Sequence, residues 1–292
     1  MAERKRANAS GRSRRRPKLG QNFLVDGSAA ARIVAALGDV RQSTVVEIGP
    51  GHGALTDILA EQAHRLVAIE LDRILCAQLR MRYARKENVE IVEGNVLAIQ
   101  LPTLIGLLPA DLAGQRRKPR EKALVVGNLP YYITSPVLSR LFSFAEYIDR
   151  IVVLVQKEVA ERIVARPESR AYGLLSATAQ LYARVEKLFT LPPGVFSPPP
   201  KVHSTALRLT IEPRGQALGV AEDEFVRFLA LCFGQKRKTL VNNLKAAFGA
   251  DAAAGALEAA GVPRNARAEA LTLRDTARVF RALRAAREGS NR

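Results

Sequence analysis

Between residues 44 and 211 the chain alternates short apolar runs rich in β-branched residues with amphipathic stretches of helical period. Strands separated by helices predict a mainly parallel sheet covered on both faces, because parallel neighbours need a crossover connection. Strands are predicted at 44–48, 65–71, 89–94, 122–127, 150–156, 184–191 and 204–211. The last two are expected to pair antiparallel at one edge. The alternation therefore places the chain in the α/β class with a doubly wound, Rossmann-like sheet.

The regions outside this alternation have a different character. Residues 1–18 are rich in Arg and Lys and hold almost nothing apolar, which predicts a basic disordered tail. The Pro- and Arg-rich stretch 100–121 is expected to be an inserted exposed loop. After residue 213 only helical patterns follow, so we predict a sheet domain over 19–212 and a small all-helical domain over 213–292.

The balance of charge restricts the partner. The 292 residues include 45 Lys and Arg against 28 Asp and Glu, a net charge of +17. A chain this basic is expected to meet a polyanion, either nucleic acid or an anionic membrane, and nucleic acid is favoured. No apolar run reaches membrane-spanning length. No secretory signal follows the basic N-terminus, and Cys76 and Cys232 lack metal-ligand spacing. We therefore expect a soluble cytoplasmic protein with buried free thiols and no metal site.

A glycine turn follows the first predicted strand. Gly49, Gly51 and Gly53 stand between that strand and the next helix, and Glu70 ends the second strand. Glycine allows a tight turn and lets a ligand approach the backbone, and an acidic residue at the position of Glu70 can accept hydrogen bonds from both ribose hydroxyls. These residues predict that a nucleoside-containing cofactor binds at the carboxyl edge of the sheet.

The identity of that cofactor is less constrained by the turn itself. Gly49-x-Gly51-x-x-Ala54 also fits the loose dinucleotide fingerprint. However, a carboxylate from Glu47 would oppose a pyrophosphate and suit a cationic ligand such as S-adenosylmethionine. We therefore favour S-adenosylmethionine over a dinucleotide, with a purely structural turn as the third interpretation. After the third strand, Asn95 could bond to the adenine amino group or could equally be an ordinary turn asparagine.

The stretch GNLPYY follows the fourth predicted strand, which is expected to lie beside the first. Methylation of the adenine N6 requires a conjugated nitrogen to become more tetrahedral, and two acceptors facing its N–H groups would favour that change. Asn128 Oδ1 and the Leu129 carbonyl are predicted as these acceptors, with Pro130 fixing the backbone and Tyr131 stacking on a flipped base. Tyr132 is expected to pack in the interior. The alternative interpretation is a Pro-containing turn with core tyrosines.

Taken together, these motifs resemble the ribosomal RNA adenine N6-dimethyltransferase family. The resemblance covers about residues 18–285 and is closest to the housekeeping branch that acts on the small ribosomal subunit. The matching motifs occur in the family's order: LGQNFLVD, VVEIGPGHGALT, AIELD, GNLPYYITSP, VQKEVAERI, YGLLSATAQ, FSPPPKVHST and FGQKRKTLVNNL.

The resemblance implies a cofactor, a substrate and a set of contacts. Resemblance to the housekeeping branch implies that two adjacent adenosines in the 3′-terminal hairpin of 16S rRNA, within the 30S subunit, are methylated with methyl groups from S-adenosylmethionine. It implies a sheet of the S-adenosylmethionine-dependent methyltransferase kind, and a monomer is expected. The cofactor contacts that carry over are Asn22, Leu24, Gly49, Glu70, Asn95 and Asn128. Position 95 is usually Asp in the family, and Asn can still accept through Oδ1.

A further aromatic residue is predicted to take part in catalysis. Phe196 stands before three prolines at 198–200 and is expected to be exposed, as a second stacking wall for the base. The alternative interpretation is that Phe196 anchors its loop to the core.

Other functions and the RNA-contacting surface stay open at this point. The alternatives are a macrolide-resistance-type 23S rRNA adenine N6-methyltransferase, a non-enzymatic RNA-binding assembly factor and, more distantly, a dinucleotide oxidoreductase. Candidate rRNA contacts are the basic tail, the loop 116–122 and a helix predicted over 236–245, and this helix is preferred.

Overall fold

A computed structural model of the chain describes residues 21–106, 122–130 and 132–290. The predicted basic tail (1–18), most of the predicted loop 100–121 and Tyr131 lie outside the described residues.

The seven predicted strands are confirmed within two residues at each end. The strands of the described residues are β1 (Phe23–Leu24), β2 (Thr44–Ile48), β3 (Arg65–Glu70), β4 (Val89–Glu93), β5 (Ala123–Asn128), β6 (Ile148–Gln156), β7 (Ala183–Leu191), β8 (Phe196–Ser197) and β9 (Ser204–Ile211). The main sheet has the order β4-β3-β2-β5-β6-β9-β7. Five neighbouring strands run parallel, namely β4, β3, β2, β5 and β6. β9 pairs antiparallel with both β6 and β7. The expected antiparallel pair therefore forms one edge.

Helices connect the strands and cover both faces of the sheet. Their bounds are α1 (Gly27–Ala35), α2 (Thr56–Gln62), α3 (Arg73–Arg82), α4 (Leu101–Leu104), α5 (Thr134–Phe142), α6 (Lys157–Ile163), α7 (Leu174–Tyr182), α8 (Gly215–Leu218), α9 (Glu222–Cys232), α10 (Leu240–Phe248), α11 (Ala250–Ala259) and α12 (Leu273–Ser290). Val45 belongs to the core under α1, and its neighbour Val46 belongs to the core under α5. Side chains alternate in this way because successive residues of a strand point to opposite faces, so both faces are buried.

The C-terminal region is helical, as predicted. Its aromatic residues Phe225, Phe228 and Phe280 pack together, and this cluster is continuous with the core on one face of the sheet. Tyr182 of α7 joins the two regions, since its ring stacks on Phe142 of the sheet region with centroids 5.2 Å apart and its hydroxyl donates to Asp223 of α9 at 3.4 Å. The proposed domain boundary at 212/213 stays a prediction.

One helix differs from its predicted start. The helix expected over 236–245 begins at Leu240, because the Thr239 hydroxyl accepts a hydrogen bond from the Asn242 N–H and caps its first turn. Residues 236–238 therefore lie in an exposed turn before α10.

Two further observations concern the predicted class of protein. Among the helices of residues 21–106, 122–130 and 132–290, none combines the length and apolar character needed to cross a membrane. Cys76 and Cys232 are both buried, as predicted.

The pairing of β2 with β5 places two motifs of the sequence side by side. Ile48 at the end of β2 pairs with Gly127 of β5. A Cβ atom added to Gly127 would lie 2.7 Å from the Ile48 carbonyl oxygen, so the two backbones approach more closely than another residue would allow. The glycine turn after β2 and the end of β5, with Asn128 and Leu129, thus lie next to each other.

We expect Gly127→Ala to destabilise the protein by ~1–3 kcal/mol, because the added methyl group meets backbone rather than a flexible side chain. Gly255→Ala is the matched control: Gly255 is exposed within α11 and has nothing within 4 Å of the added Cβ. This second change should stabilise the chain by up to ~1 kcal/mol through helix propensity. Urea unfolding of the two variants measures the difference, and a Gly127→Ala variant as stable as the wild type would contradict the steric argument.

Candidate active site

A cleft opens at the carboxyl ends of β2, β3, β4 and β5. The chain runs from β2 outward through β3 and β4, then returns to place β5 on the other side of β2. The strand order thus reverses between β2 and β5, which is where open α/β sheets bind their ligands. The structure brings these predicted site residues together in the lining: Asn22, Gly49, Gly51, Glu70, Asn95, Asn128, Leu129 and Pro130. Four others do not line it: Leu24, Glu47, Gly53 and Phe196.

The turn after β2 depends on glycine backbone geometry. Gly49, Gly51 and Gly53 have φ angles of 67°, 58° and 90°, in the left-handed region that favours glycine. The Gly49 N–H donates to the Ile69 carbonyl at 2.9 Å, which holds the start of the turn against β3.

The space left by the missing side chains is mostly filled by the protein itself. A Cβ on Gly51 would meet the Phe23 ring at 2.7 Å, and one on Gly53 would meet the Tyr83 hydroxyl at 2.9 Å. The tight turn predicted from these glycines is present, and close approach of a ligand to the backbone of Gly49, Gly51 and Gly53 stays a prediction. Because Gly51 and Gly53 have no side chains, Phe23 and Tyr83 can pack directly on the turn.

A polar cluster behind the turn was not identified from the sequence. The Asp57 carboxylate accepts hydrogen bonds from the Tyr83 hydroxyl at 2.5 Å and from Arg82 at 2.6 Å. Arg82 also donates to the His52 carbonyl at 3.1 Å, so the cluster holds the turn backbone directly. Burial, together with the hydrogen bond to Asp57, holds the pKa of Tyr83 well above its usual value. Only the fold brings these residues together, because Arg82 lies 25 residues beyond Asp57 in the chain.

Glu70 is a buried carboxylate at the edge of the cleft. Its Oε1 accepts from the N–H groups of Leu71 and Asp72 at 2.8 and 2.9 Å, and its Oε2 accepts from the Gly51 N–H at 3.1 Å. These contacts occupy both acceptor positions of Oε1 and one of Oε2. A ligand hydroxyl is therefore expected at Oε2, and bonding to both ribose hydroxyls stays a prediction.

Glu47 occupies a different environment from the one predicted. Its side chain is buried, with Oε2 accepting from the Thr56 hydroxyl at 2.8 Å. Burial raises the pKa of Glu47 to about 8, which the Thr56 hydrogen bond partly opposes and the nearby Glu70 charge reinforces. The carboxyl group is thus mainly protonated at neutral pH and does not face the cleft. The prediction of a carboxylate beside a cationic ligand is not supported by this placement.

We expect the pH dependence of stability to reveal Glu47. The folded protein keeps the proton up to about pH 8, whereas unfolded chains lose it near pH 4.5, so Glu47 destabilises the fold as pH rises between these values. Glu47→Gln should therefore gain free energy of unfolding relative to the wild type as pH rises from 4.5 to about 8, and the difference should level off above that. Urea unfolding at several pH values, without added ligand, measures the difference.

Glu61→Gln is the control for this measurement, because the Glu61 side chain is 66% exposed in a surface ion pair with Lys86. Its stability difference from the wild type should stay flat over the same range. An equally flat difference for Glu47→Gln would show that Glu47 is ionised in the folded protein.

The segment after β5 presents an oriented amide to the cleft. Asn128 Nδ2 donates to the Asn22 carbonyl at 2.9 Å, which turns Oδ1 away from that carbonyl as the acceptor end. The Leu129 N–H donates to the Leu154 carbonyl at 3.1 Å and its side chain is buried, so β6 holds the backbone there. Pro130 follows on the cleft wall. Tyr131, the predicted stacking residue, lies outside the described residues.

Asn95 forms a local turn and also lines the cleft, and its contact with adenine stays a prediction. It lines the cleft after β4, and its Oδ1 accepts from the Leu97 N–H at 3.0 Å in a local turn. The turn uses one acceptor position of Oδ1, so a second acceptor position remains for a ligand.

Phe196 is buried, contrary to the prediction. β8 pairs antiparallel with β1, placing Phe196 opposite Leu24, and the Phe196 side chain is 3% exposed within the core. The two-residue strands are too short to produce a sequence pattern, so this pairing was not foreseen. The alternative, that Phe196 anchors its loop, describes this structure.

Tyr132 also differs from its prediction. Its side chain is 62% exposed and lines the cleft, so it is not a packing residue.

The chain is similar to known proteins over nearly its whole length. The chain matches the family described as "Ribosomal RNA adenine dimethylase" over residues 12–285. It is 55% identical to the ribosomal RNA small subunit methyltransferase A of Koribacter versatilis, covering 95% of this chain and 98% of that protein. It is 54% identical to the protein of the same name from Acidobacterium capsulatum, covering 92% and 91%.

Solved structures share the fold. A dimethyladenosine transferase from Plasmodium falciparum superposes with a TM-score of 0.74 at 23% identity, covering 91% of this chain and 98% of that one. The 23S rRNA methyltransferase ErmE superposes with a TM-score of 0.63 at 26% identity, covering 90% and 100%.

Proposed function

The chain belongs to the ribosomal RNA adenine dimethylase family, and from that membership we propose that it is an S-adenosylmethionine-dependent adenine N6,N6-dimethyltransferase of 16S rRNA. The observation that carries the proposal is the 55% identity, over nearly the whole chain, with a small-subunit methyltransferase, against 26% with the 23S enzyme. The proposed substrates are two adjacent adenosines in the 3′-terminal hairpin, within the 30S subunit in the bacterial cytoplasm.

The described residues fit S-adenosylmethionine, which when bound supplies a methyl group activated by a sulfonium. Glu70 offers Oε2 to a ribose hydroxyl at a position held by three backbone N–H groups. Ile48, Ile69 and Val96 give apolar walls on which a purine can lie. We propose that the contacts to this cofactor come from Asn22, Gly49, Gly51, Glu70, Asn95 and Asn128. Leu24, Glu47 and Gly53 would act indirectly, by holding in place the turn and the entrance segment, which is Asn22 together with β1.

Asn128 is proposed to position the reacting amine. The adenine N6 is a poor nucleophile because its lone pair is conjugated with the ring. Acceptors facing its N–H groups favour the more tetrahedral nitrogen of the transition state, and Asn128 Oδ1 and the Leu129 carbonyl are proposed for this purpose. The hydrogen bond from Nδ2 to the Asn22 carbonyl would keep Oδ1 aimed during both methylations. The methylated nitrogen can then release its proton to water, so no strong base is required.

Binding of rRNA is proposed to use the basic turn before α10. Lys236, Arg237 and Lys238 are exposed there, and the Lys236 ammonium donates to the Arg170 carbonyl at 3.0 Å. The other proposed contacts, in the basic tail and the loop 116–122, lie almost wholly outside the described residues. A role in RNA binding alone is less favoured, because an oriented amide and a fixed buried carboxylate at one cleft are not needed for that role.

Methyl transfer to undermethylated 30S particles tests the proposal directly. With labelled S-adenosylmethionine we expect dimethyladenosine at two adjacent positions of the 16S rRNA 3′-terminal hairpin, mapped by mass spectrometry. Fragments of 23S rRNA serve as the second substrate. Transfer to those fragments alone would favour the 23S alternative, and transfer to neither substrate, with RNA binding retained, would favour the non-enzymatic one.

Asn128→Ala should lower kcat by ~100-fold or more, because the variant lacks an acceptor that acts mainly in the transition state. Binding to 30S particles should be largely retained, since in this proposal Asn128 contacts only the cofactor and the reacting base, and the rest of the RNA is held elsewhere. Asn265→Ala, the same change at an exposed loop position of the helical region, is the control and should keep wild-type kcat. Single-turnover rates measure the effect. Wild-type rates in a folded Asn128→Ala variant would reject the role assigned to the amide.

A further inference from the structure

Tyr132 stands out among the large side chains that the structure describes. Its 62% exposure makes it the only aromatic residue among the strongly exposed large apolar side chains of the described residues. It also lines the cleft that holds Asn128. An exposed aromatic ring loses apolar burial that an interior position would provide, so its position at the cleft indicates a ligand rather than packing.

The backbone that carries Tyr132 is held by two hydrogen bonds. The Pro130 carbonyl accepts from the Ile133 N–H at 3.1 Å and from the Thr134 hydroxyl at 3.5 Å. Thr134 is buried at the start of α5, and Pro130 has a restricted φ angle. These contacts fix the point from which the ring projects, and a tyrosine ring, with only two χ angles, loses little conformational entropy on stacking.

The methylated base and the neighbouring base are expected to enter the cleft to different extents. The methylated base must bring its N6 to Asn128, which is only partly exposed and bonded to the entrance segment at Asn22. The Tyr132 side chain is 62% exposed, so it is more open to solvent than Asn128. The nucleotide next to the target in the RNA remains outside the cleft, and its base can meet the Tyr132 ring. Stacking suits it because every base presents an aromatic face.

We propose that Tyr132 is a positioning residue that stacks on the nucleotide adjacent to the target adenosine. The proposal rests on the proposed function, since it requires an RNA substrate in this cleft. Because the substrate has two adjacent adenosines, the same contact would place one adenosine while the other is methylated.

The experiment compares Tyr132→Ala, Tyr132→Phe and Met81→Ala on undermethylated 30S particles. Met81 is 82% exposed on α3 and serves as the control for removing an exposed large side chain. Tyr132→Ala should raise KM for the particles by ~5–20-fold with a smaller change in kcat, from loss of one stacked base. Tyr132→Phe should stay within about twofold of the wild type, because it keeps the ring. Thermal unfolding and the Kd for S-adenosylmethionine should be unchanged in all three variants.

A second substrate distinguishes stacking from a general effect. When the adenosine beside the target is replaced by uridine, a weaker stacking partner, the penalty of Tyr132→Ala on KM should shrink. An unchanged KM in Tyr132→Ala, an equal loss in Tyr132→Phe, an undiminished penalty with uridine, or a raised Kd for S-adenosylmethionine without a change in the RNA KM would overturn the role. Such results, with an active wild type, would leave the proposed function standing. A wild type inactive on these particles would reject the proposed function together with the role.

Discussion

The close backbone contact between Gly127 and Ile48 is the constraint on which the rest of the site depends. It joins β5 to β2 at the point where the strand order reverses, so the segments following these strands emerge side by side. One segment carries the turn that would hold a cofactor, and the other carries Asn128. A methyl donor and a methyl acceptor must meet in a defined geometry, and adjacent parallel strands provide a rigid base for that meeting.

The glycine turn is held in place by groups on several elements. Phe23 packs on it from the entrance segment, and Tyr83 packs on it from the end of α3. The N–H of Gly51 donates to Glu70, which is itself fixed by the backbone after β3. Each of these contacts limits the same few peptide groups. The turn is thus organised before any ligand arrives, which reduces the entropy lost on binding.

The entrance segment connects the two halves of the proposed reaction site. Asn22 accepts the hydrogen bond that orients Asn128, and the next residues form β1, which pairs with β8 beside the buried Phe196. Movement of the entrance segment would therefore affect the amide, the packing of Phe23 on the turn and the burial of Phe196 together. A chain that reads RNA at this cleft can use such a coupled segment to bring its parts into place in one step.

The sequence by itself determined the α/β class, the strand positions and the cleft lining by Gly49, Glu70 and Asn128. Period-two and helical patterns, glycine turns and strand ends are local properties, and parallel strands place their carboxyl ends at one edge. The tertiary structure alone decided the surroundings of Glu47, Phe196 and Tyr132. Glu47 and Phe196 are buried and Tyr132 is exposed because of contacts, or the lack of them, with residues far apart in the chain. The pairing of β1 with β8, for example, buries Phe196. A buried Glu47 also prefers its proton, because burial removes the water that would stabilise the charge.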